Sequence, residues 1–539
     1  MLELKVVSSL AKVYLDRPLD LEYEISSGTM LQNDRYHFQV AYRVKTDKCN
    51  FTCTCESDLG NAITLRYVDY VPCDVPCFRY GLDTCEHPEP GILPDILKPM
   101  PKEPWAYRDS WRAIWVTVDG SKGLIAPGKY PITFNFTDNE KSSISFELEV
   151  LPGVIPEQKF PVTNWLHCDS ICNYHNVEFL SDGFWKYAAT YIESAVRNNS
   201  IMILTPVFTP PLDTAVGGER LTTQLVDVEV NNGQYSFNFD NLGKWIDMCL
   251  PLGVKYFEIA HLFTQWGCKY APKVMATVDG EYKRIFGWET DGHGEEYQGF
   301  LSEFLPKLVD FLKAKSVYDM CYFHLSDEPS IDMIEDYRKA SEFVRQYIPL
   351  EKFIDALSCV EYAKEGLIKN PVVSVGHVPE FIKDNVDTTW CYYCLGPIDT
   401  TNRFVAWASY RTRVLGLMMF KHDMKGFLHW GFNFYNTLHS NEYIDPYSSC
   451  TAGGWAPGGD PYVLYPSKTG GDVESIRLCV FSDAIKDFLV LDALLEKYSR
   501  EELLKRFGLE NMTFKTFLKP SKLLAIREEI NRMLSEIQK

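Results

Sequence analysis

Two patterns of apolar and polar positions divide the chain. Up to about residue 150, apolar and polar residues alternate in short runs such as Tyr36-His-Phe-Gln-Val-Ala-Tyr-Arg43, Ala113-Ile-Trp-Val-Thr-Val118 and Ile144-Ser-Phe-Glu-Leu-Glu-Val150. A period of two in β-branched and aromatic residues predicts strands. Phrases such as Ala126-Pro-Gly-Lys-Tyr-Pro131 lie between them as turns. An antiparallel β-sandwich over residues 1–152 is the expected outcome. Leu151-Pro-Gly-Val-Ile-Pro156 then reads as a rigid linker.

Beyond the linker, short apolar runs alternate with stretches of helical period, which implies a parallel sheet. Candidate strands end near His167, Thr205, Ala260, Leu325, Leu357, Val375, Cys394 and Trp430. Helical stretches lie between them near 181–198, 239–250, 293–314, 333–346, 361–368, 379–384 and 402–418, and a last one near 475–497 carries Ile485, Phe488, Leu489 and Ala493 at helical spacing. Eight such units predict a (β/α)8 TIM-like barrel over 157–500. A helical flank follows at 501–539, with Leu523, Ile526, Ile530, Met533 and Ile537 at helical spacing. The fold class is thus multidomain, β plus α/β. Two inserts, 264–292 and 436–473, are long enough to serve as lids or binding walls.

Composition narrows the partners. Hydrophobic residues make up 46% of the 539 and aromatics 14%, enough for a sizeable core and consistent with a carbohydrate cleft. The formal charge of −19 argues against nucleic acid and anionic membrane, which both require basic patches. No apolar run is long enough to span a bilayer, and the start Met-Leu-Glu-Leu-Lys-Val-Val lacks the features of a signal peptide. The sequence as written is expected to be cytoplasmic, or secreted if it has been trimmed. The sixteen cysteines are scattered, and Cys49, Cys53, Cys55, Cys73, Cys77 and Cys85, with His87, match no zinc spacing.

Chemistry concentrates in Cys321-Tyr-Phe-His-Leu-Ser-Asp-Glu-Pro329. A short apolar strand stopped by a proline delivers Asp327 and Glu328 to the carboxyl edge of the sheet, where catalytic groups of barrels collect. Two adjacent acids in a sheltered cleft repel, so one keeps its proton while the other ionises. The same run could instead begin an ordinary polar loop, with Asp327 capping a helix near Ile331 to Ile348. Other strand ends supply candidate substrate contacts: His167 and Asp169, Asp213, Trp390, Tyr392 and Tyr393, then Trp430 and Asn433. His167 and Asp169 could be metal ligands, a satisfied polar pair or sugar-hydroxyl contacts, and about half of the strand aromatics must face the core. Arg477 is expected to brace a carboxylate rather than to catalyse. No dinucleotide, P-loop, HExxH or GxSxG motif sits in a suitable place.

Adjacency constrains mechanism. Ordinary glycosidases place two carboxyls across the bond from separate strands, about 5–5.5 Å apart when retaining and about 6.5–9.5 Å when inverting. Neighbouring acids approach from one side. A 2-acetamido substrate removes the difficulty, because its own carbonyl oxygen can attack the anomeric carbon.

His324-Leu-Ser-Asp-Glu-Pro329, Gly426-Phe-Leu-His-Trp-Gly-Phe-Asn433, Gly459-Asp-Pro-Tyr-Val-Leu-Tyr-Pro466, Ser475-Ile-Arg477 and Phe208-Thr-Pro-Pro-Leu-Asp-Thr214 together resemble glycoside hydrolase family 123. The resemblance runs from Pro90-Gly-Ile-Leu-Pro-Asp95 to the last barrel helix. It implies a β-sandwich and (β/α)8 barrel, and a cofactor- and metal-independent, retaining, substrate-assisted β-N-acetylgalactosaminidase. Asp327 would orient the acetamido group and Glu328 would act as general acid and then base. Tyr392 or Tyr393 would bond the acetamido carbonyl between Trp390 and Trp430. The implied partner is an oligosaccharide or glycoconjugate ending in a β-linked N-acetylhexosamine. The rival readings are an inactive carbohydrate-binding relative and a metal-dependent barrel hydrolase using His167, Asp169, Asp327 and Glu328.

Overall fold

The computed structural model describes residues 2–78, 81, 85–386 and 389–539. The N-terminal part is β-rich. One sheet holds five strands in the spatial order Leu2–Ser8, Arg35–Val44, Arg112–Asp119, Ile63–Cys73, Gly91–Pro99; another holds four, Ser27–Leu31, Lys141–Leu151, Gly128–Thr137, Thr52–Glu56. The two share a core in which the Phe38 ring stacks 4.3 Å from Phe146 and meets Phe134 edge-on at 5.9 Å. Lys141–Leu151 alternates buried and exposed for most of its length, as a one-sided strand should. Arg112–Asp119 is instead buried from Ala113 to Val118. Its Ile114 and Val116 face the other sheet, and its Ala113 and Trp115 join the main core that contains the barrel helices.

Eight parallel strands follow: Val162–Asn164, Met202–Thr205, Tyr256–Ile259, Cys321–Phe323, Ile354–Ala356, Asn370–Ser374, Trp390–Tyr392 and Phe427–His429. Each ends within three residues of its position expected from the sequence. They are called here the first to eighth barrel strands. The first pairs with the eighth, and the sheet runs unbroken from the fourth back through the first and round to the fifth. The fourth and fifth meet at a single bridge, Phe323 with Phe353, so the barrel is nearly closed with a seam at that point.

Two details depart from the sequence reading, and a third adds to it. The stretch 402–418 turns helical only at Ser409–Arg413 and Leu415–Lys421. Ahead of it, buried Arg403 reaches Asn164 Oδ1 (2.6 Å) and His429 Nδ1 (2.6 Å), tying the first and eighth strands together. The insert 264–292 is no bare loop: Val274–Val278 and Glu281–Phe286 pair with Asp227–Asn231 and Gln234–Asn238 in a four-stranded sheet. Finally, Ile476–Ala493 is buried on nearly every face, including Arg477, Asp483, Lys486 and Asp487. The terminal helix Pro520–Ile537 packs on it, and Arg527 reaches both Asp487 (2.7 Å) and Asp34 of the β-rich part (2.6 Å).

Candidate active site

A cavity of about 130 Å³ opens at the carboxyl ends of the barrel strands. Asp327 and Glu328 face it from the loop after the fourth strand, and Asp213 from the loop after the second. Four tryptophans wall it: Trp165 after the first strand, Trp266 after the third, Trp430 after the eighth and Trp455 from the 436–473 insert. Tyr392 enters from the seventh strand, with Cys394 and Leu395 beyond it. A few carboxyls among flat rings are an arrangement suited to a sugar, with polar groups to grip hydroxyls and ring faces to lie along C–H surfaces.

The backbone under the acids is unusual. Glu328 has φ 44°, Trp266 63°, Cys268 64° and Asp213 50°, all in the left-handed region that L-residues rarely occupy. Hydrogen bonds hold these conformations: Glu328 N donates to Ala356 O (2.9 Å), Trp266 N to Asp327 O (2.8 Å) and Ser440 Oγ to Asp213 O (2.9 Å). Such strain persists where surrounding structure enforces it, and it is concentrated at functional sites. The helix after the acids begins at Ile334 behind a 3-10 turn at Ile331–Met333, neither with a side-chain cap, so Asp327 is no helix cap.

The electrostatics separate the acids. Burial, then the charges of Glu328 and Asp213, hold the Asp327 carboxyl well above the ordinary range. Asp213 is pushed up to about 6 by burial and the nearby carboxylates, against the pull of Arg220. Tyr392 OH donates to Glu328 Oε1 at 2.6 Å. Trp430 is locked by its indole N–H on Asp460 Oδ2 (2.7 Å), whose own carboxyl burial lifts to about 7.

Not every expected contact reaches the cavity. Trp390 and Tyr392 point into the barrel and Cys391 and Tyr393 out toward the helices, as strand alternation requires. Tyr393 is therefore packed against Phe427 (5.1 Å) and His429 (5.4 Å), away from the site. Trp390 lies deeper in the barrel, edge-on to Tyr322 (5.3 Å), below the cavity. Asn433 is a buried clamp, accepting from His167 N (2.8 Å) and donating to His167 O (3.1 Å). His167 Nε2 bonds the Trp430 carbonyl (2.8 Å) while Arg220 bonds His167 Nδ1 (3.1 Å) and Asp169 (2.7 Å). His167 and Asp169 thus form a satisfied polar cluster with Arg220, behind Trp430. That removes the geometry of the metal-dependent reading: among the described residues, the one group of three ligand-type side chains close enough to share an ion is His261, His324 and Asp355. The Cys49–Cys85 set forms no such group among the described residues, and the cysteines are free thiols.

The sequence reading overlooked Trp165, Gln265, Trp266 and Trp455. Trp165 stands two residues before His167, and Trp266 and Trp455 lie in the two inserts already marked as walls. Nothing in a loop's sequence announces which of its rings turns inward.

In comparison with known proteins, the family model "Glycoside hydrolase 123, catalytic domain" matches residues 165–494. No curated protein matches the sequence. A family 123 glycoside hydrolase from Clostridium perfringens, solved in a study of glycolipid glycan hydrolysis, is similar over 100% of this chain and 99% of its own, with TM-score 0.72 and 14% identity. That likeness speaks for the fold. A Bacteroides ovatus GH5 xyloglucanase also aligns, over 90% of this chain and 100% of its own, but at TM-score 0.25 and 9% identity it carries no argument. The family model covers well over half of the chain and contains every residue of the cavity: the protein belongs to glycoside hydrolase family 123 and is a glycosidase.

Proposed function

We propose that the protein is a retaining, exo-acting β-N-acetylhexosaminidase that releases terminal β-linked GalNAc by substrate-assisted catalysis. The observation that carries this reading is the adjacency of Asp327 and Glu328 on one loop, facing one small cavity. A cavity this size suits a single terminal sugar, and the resemblance of the motifs to β-N-acetylgalactosaminidases favours GalNAc.

The chemistry follows from placement. The acetamido carbonyl oxygen forms a bond to C1 as the glycosidic C1–O bond breaks, giving an oxazolinium ion. Glu328 gives its proton to the departing oxygen. Asp327 accepts the acetamido N–H and offsets the charge developing on the ring. Water then attacks C1 from the opposite face, Glu328 takes its proton, and the ring reopens with net retention. Burial and the neighbouring carboxyls hold the Asp327 carboxyl well above the ordinary range, so in the free enzyme it favours its protonated form. An acetamido N–H donated to Asp327 favours its ionised form and sends that proton to Glu328, where the leaving group needs it. Substrate binding thereby arms the acid.

One observation favours a second reading, in which Asp213, a third carboxyl from a different strand, attacks C1 itself. The test is hydrolysis of the p-nitrophenyl β-GalNAc, β-GlcNAc and β-galactoside substrates by wild type, Glu328→Gln and Asp213→Ala. Turnover of a 2-acetamido sugar but not the galactoside, abolished in Glu328→Gln, supports substrate assistance. Turnover of the galactoside, with azide rescuing Asp213→Ala, would move the nucleophile to Asp213. Binding of GalNAc without turnover of any of the three would favour an inactive carbohydrate-binding protein.

A further inference from the structure

Below the acid pair, the barrel interior carries charge that the proposed chemistry does not use. His324, three residues before Asp327, is fully buried between two carboxylates that are also fully buried. Its Nε2 lies 2.6 Å from Glu258 Oε1 and its Nδ1 3.0 Å from Asp355 Oδ1. Each ring nitrogen faces a carboxyl oxygen, an arrangement that favours the doubly protonated imidazolium. Burial alone would lower its pKa, but the bonds to Asp355 and Glu258 outweigh burial and bring it up to about 9. His261 lies over it, ring centroids 4.2 Å apart at 13°, with neither of its buried ring nitrogens hydrogen-bonded among the described residues. Burial and the His324 charge keep His261 neutral, so its face can stack on the cation.

Each carboxylate has a second task. Glu258 accepts Trp165 Nε1 (2.7 Å) and Thr163 Oγ1 (2.5 Å), which sets the cavity wall on the first strand. Asp355 accepts Leu325 N (3.0 Å) and Tyr337 OH (2.5 Å), which holds the chain just before the acids. The location matters most. Asp355 is on the fifth strand and His324 follows the fourth, so their contact crosses the barrel seam, where the backbone ladder has shrunk to one bridge. The Asp355 side chain does there what a ladder carbonyl does elsewhere, accepting a backbone N–H from the segment that leaves the fourth strand.

We propose that Glu258, His324 and Asp355 form a buried ion triad that closes the barrel seam and positions the Asp327–Glu328 loop and Trp165 for glycoside hydrolysis. The catalytic half of this statement rests on the reading of Asp327 and Glu328 given above; the ionic half does not. The groups facing His324 are Glu258 and His261 from the third strand and its loop, Asp355 from the fifth strand, Asp327 on its own loop and the edge-on ring of Trp165, while Tyr337 from the helix Ile334–Val344 and Cys268 face Asp355.

Two measurements on the full-length protein decide it. Spectra of the ¹⁵N-histidine-labelled wild type, followed with pH and assigned with His324→Gln, should show both His324 nitrogens protonated up to about pH 9 while His261 stays neutral. Titration of His324 near its ordinary value, or a stoichiometric metal ion lost in His261→Ala, would overturn the triad whether or not 2-acetamido sugars are substrates. Kinetics of His324→Gln and Asp355→Asn, on whichever aryl glycoside the wild type hydrolyses, should show kcat lowered on the order of 10–100-fold with KM changed far less. In His324→Gln the alkaline limb of kcat/KM should also move to higher pH, because a cation that eased ionisation of Asp327 is gone. Folded variants that keep wild-type kcat and pH profile would reduce the triad to a structural element with no positioning role. A wild type inert on every aryl 2-acetamido glycoside would sink the proposed function but leave the spectroscopic result to judge the triad.

Discussion

Glu328 and Asp327 are next to each other in the chain but differ in surroundings, and their substitution should separate them. Removing general acid catalysis is worth about 10²–10⁴-fold, so Glu328→Gln should lower kcat by that amount with folding intact. Asp327→Asn should be comparably harmful. Tyr392→Phe deletes one hydrogen bond to Glu328 and should cost roughly 10-fold in kcat/KM. Tyr393→Phe is expected to be silent in kcat/KM, because that hydroxyl is buried among the helices with no hydrogen-bond partner among the described residues. The two tyrosines are indistinguishable in the sequence. One step of strand alternation sends them to opposite sides of the barrel, and only the phase of the seventh strand says which is which.

The eight strands were legible because each is a short apolar run ended by Gly, Pro or polar residues, a signal that survives without neighbours. The helical reading of 402–418 failed where a buried arginine, Arg403, is engaged with the two strands in front of it, a contact of long range that local periodicity does not register. The seam between the fourth and fifth strands is likewise invisible in the chain. Its ionic bridge has a thermodynamic signature. The His324 pKa is raised on folding, so its stabilisation is fully present below its unfolded value near 6.5 and is lost as pH rises through about 9. The stability gap between wild type and His324→Gln, read by chemical denaturation, should therefore be constant below about pH 6.5 and narrow toward pH 9. A gap independent of pH would count against the imidazolium.

The β-rich part and the barrel are joined by buried charge. Glu474 receives Arg35 (3.3 Å) and Arg66 (2.6 Å) from the first sheet and Arg197 (3.0 Å) from the barrel. Against the effect of burial, the three guanidiniums hold its carboxyl well below the usual range. Arg477 pairs with Asp95 across the same junction (2.8 Å), and Tyr465 OH joins them (2.7 Å). Arg477 thus braces a carboxylate, and three of the sequence motifs that carry the family resemblance turn out to be parts of one latch. Removing one partner of a buried pair strands the other, at a cost of about 3–5 kcal/mol. Glu474→Gln should accordingly destabilise the protein by an amount of that order and leave kcat per folded molecule unchanged. Calorimetry should show the two parts unfolding together; a separate transition for the β-rich part in the wild type would contradict so tight a latch.

By itself the sequence determined the order of β-rich part and barrel, the eight strand ends and the acid pair, because hydrophobic period, turn residues and adjacency are properties of neighbours along the chain. The tertiary structure decided which rings face the cavity, that His167, Asp169 and Asn433 stand behind it, and that His324 spans a seam between Glu258 and Asp355. Those outcomes depend on side chains tens to hundreds of residues apart meeting in low dielectric, where burial and partners, rather than residue type, set charge and role.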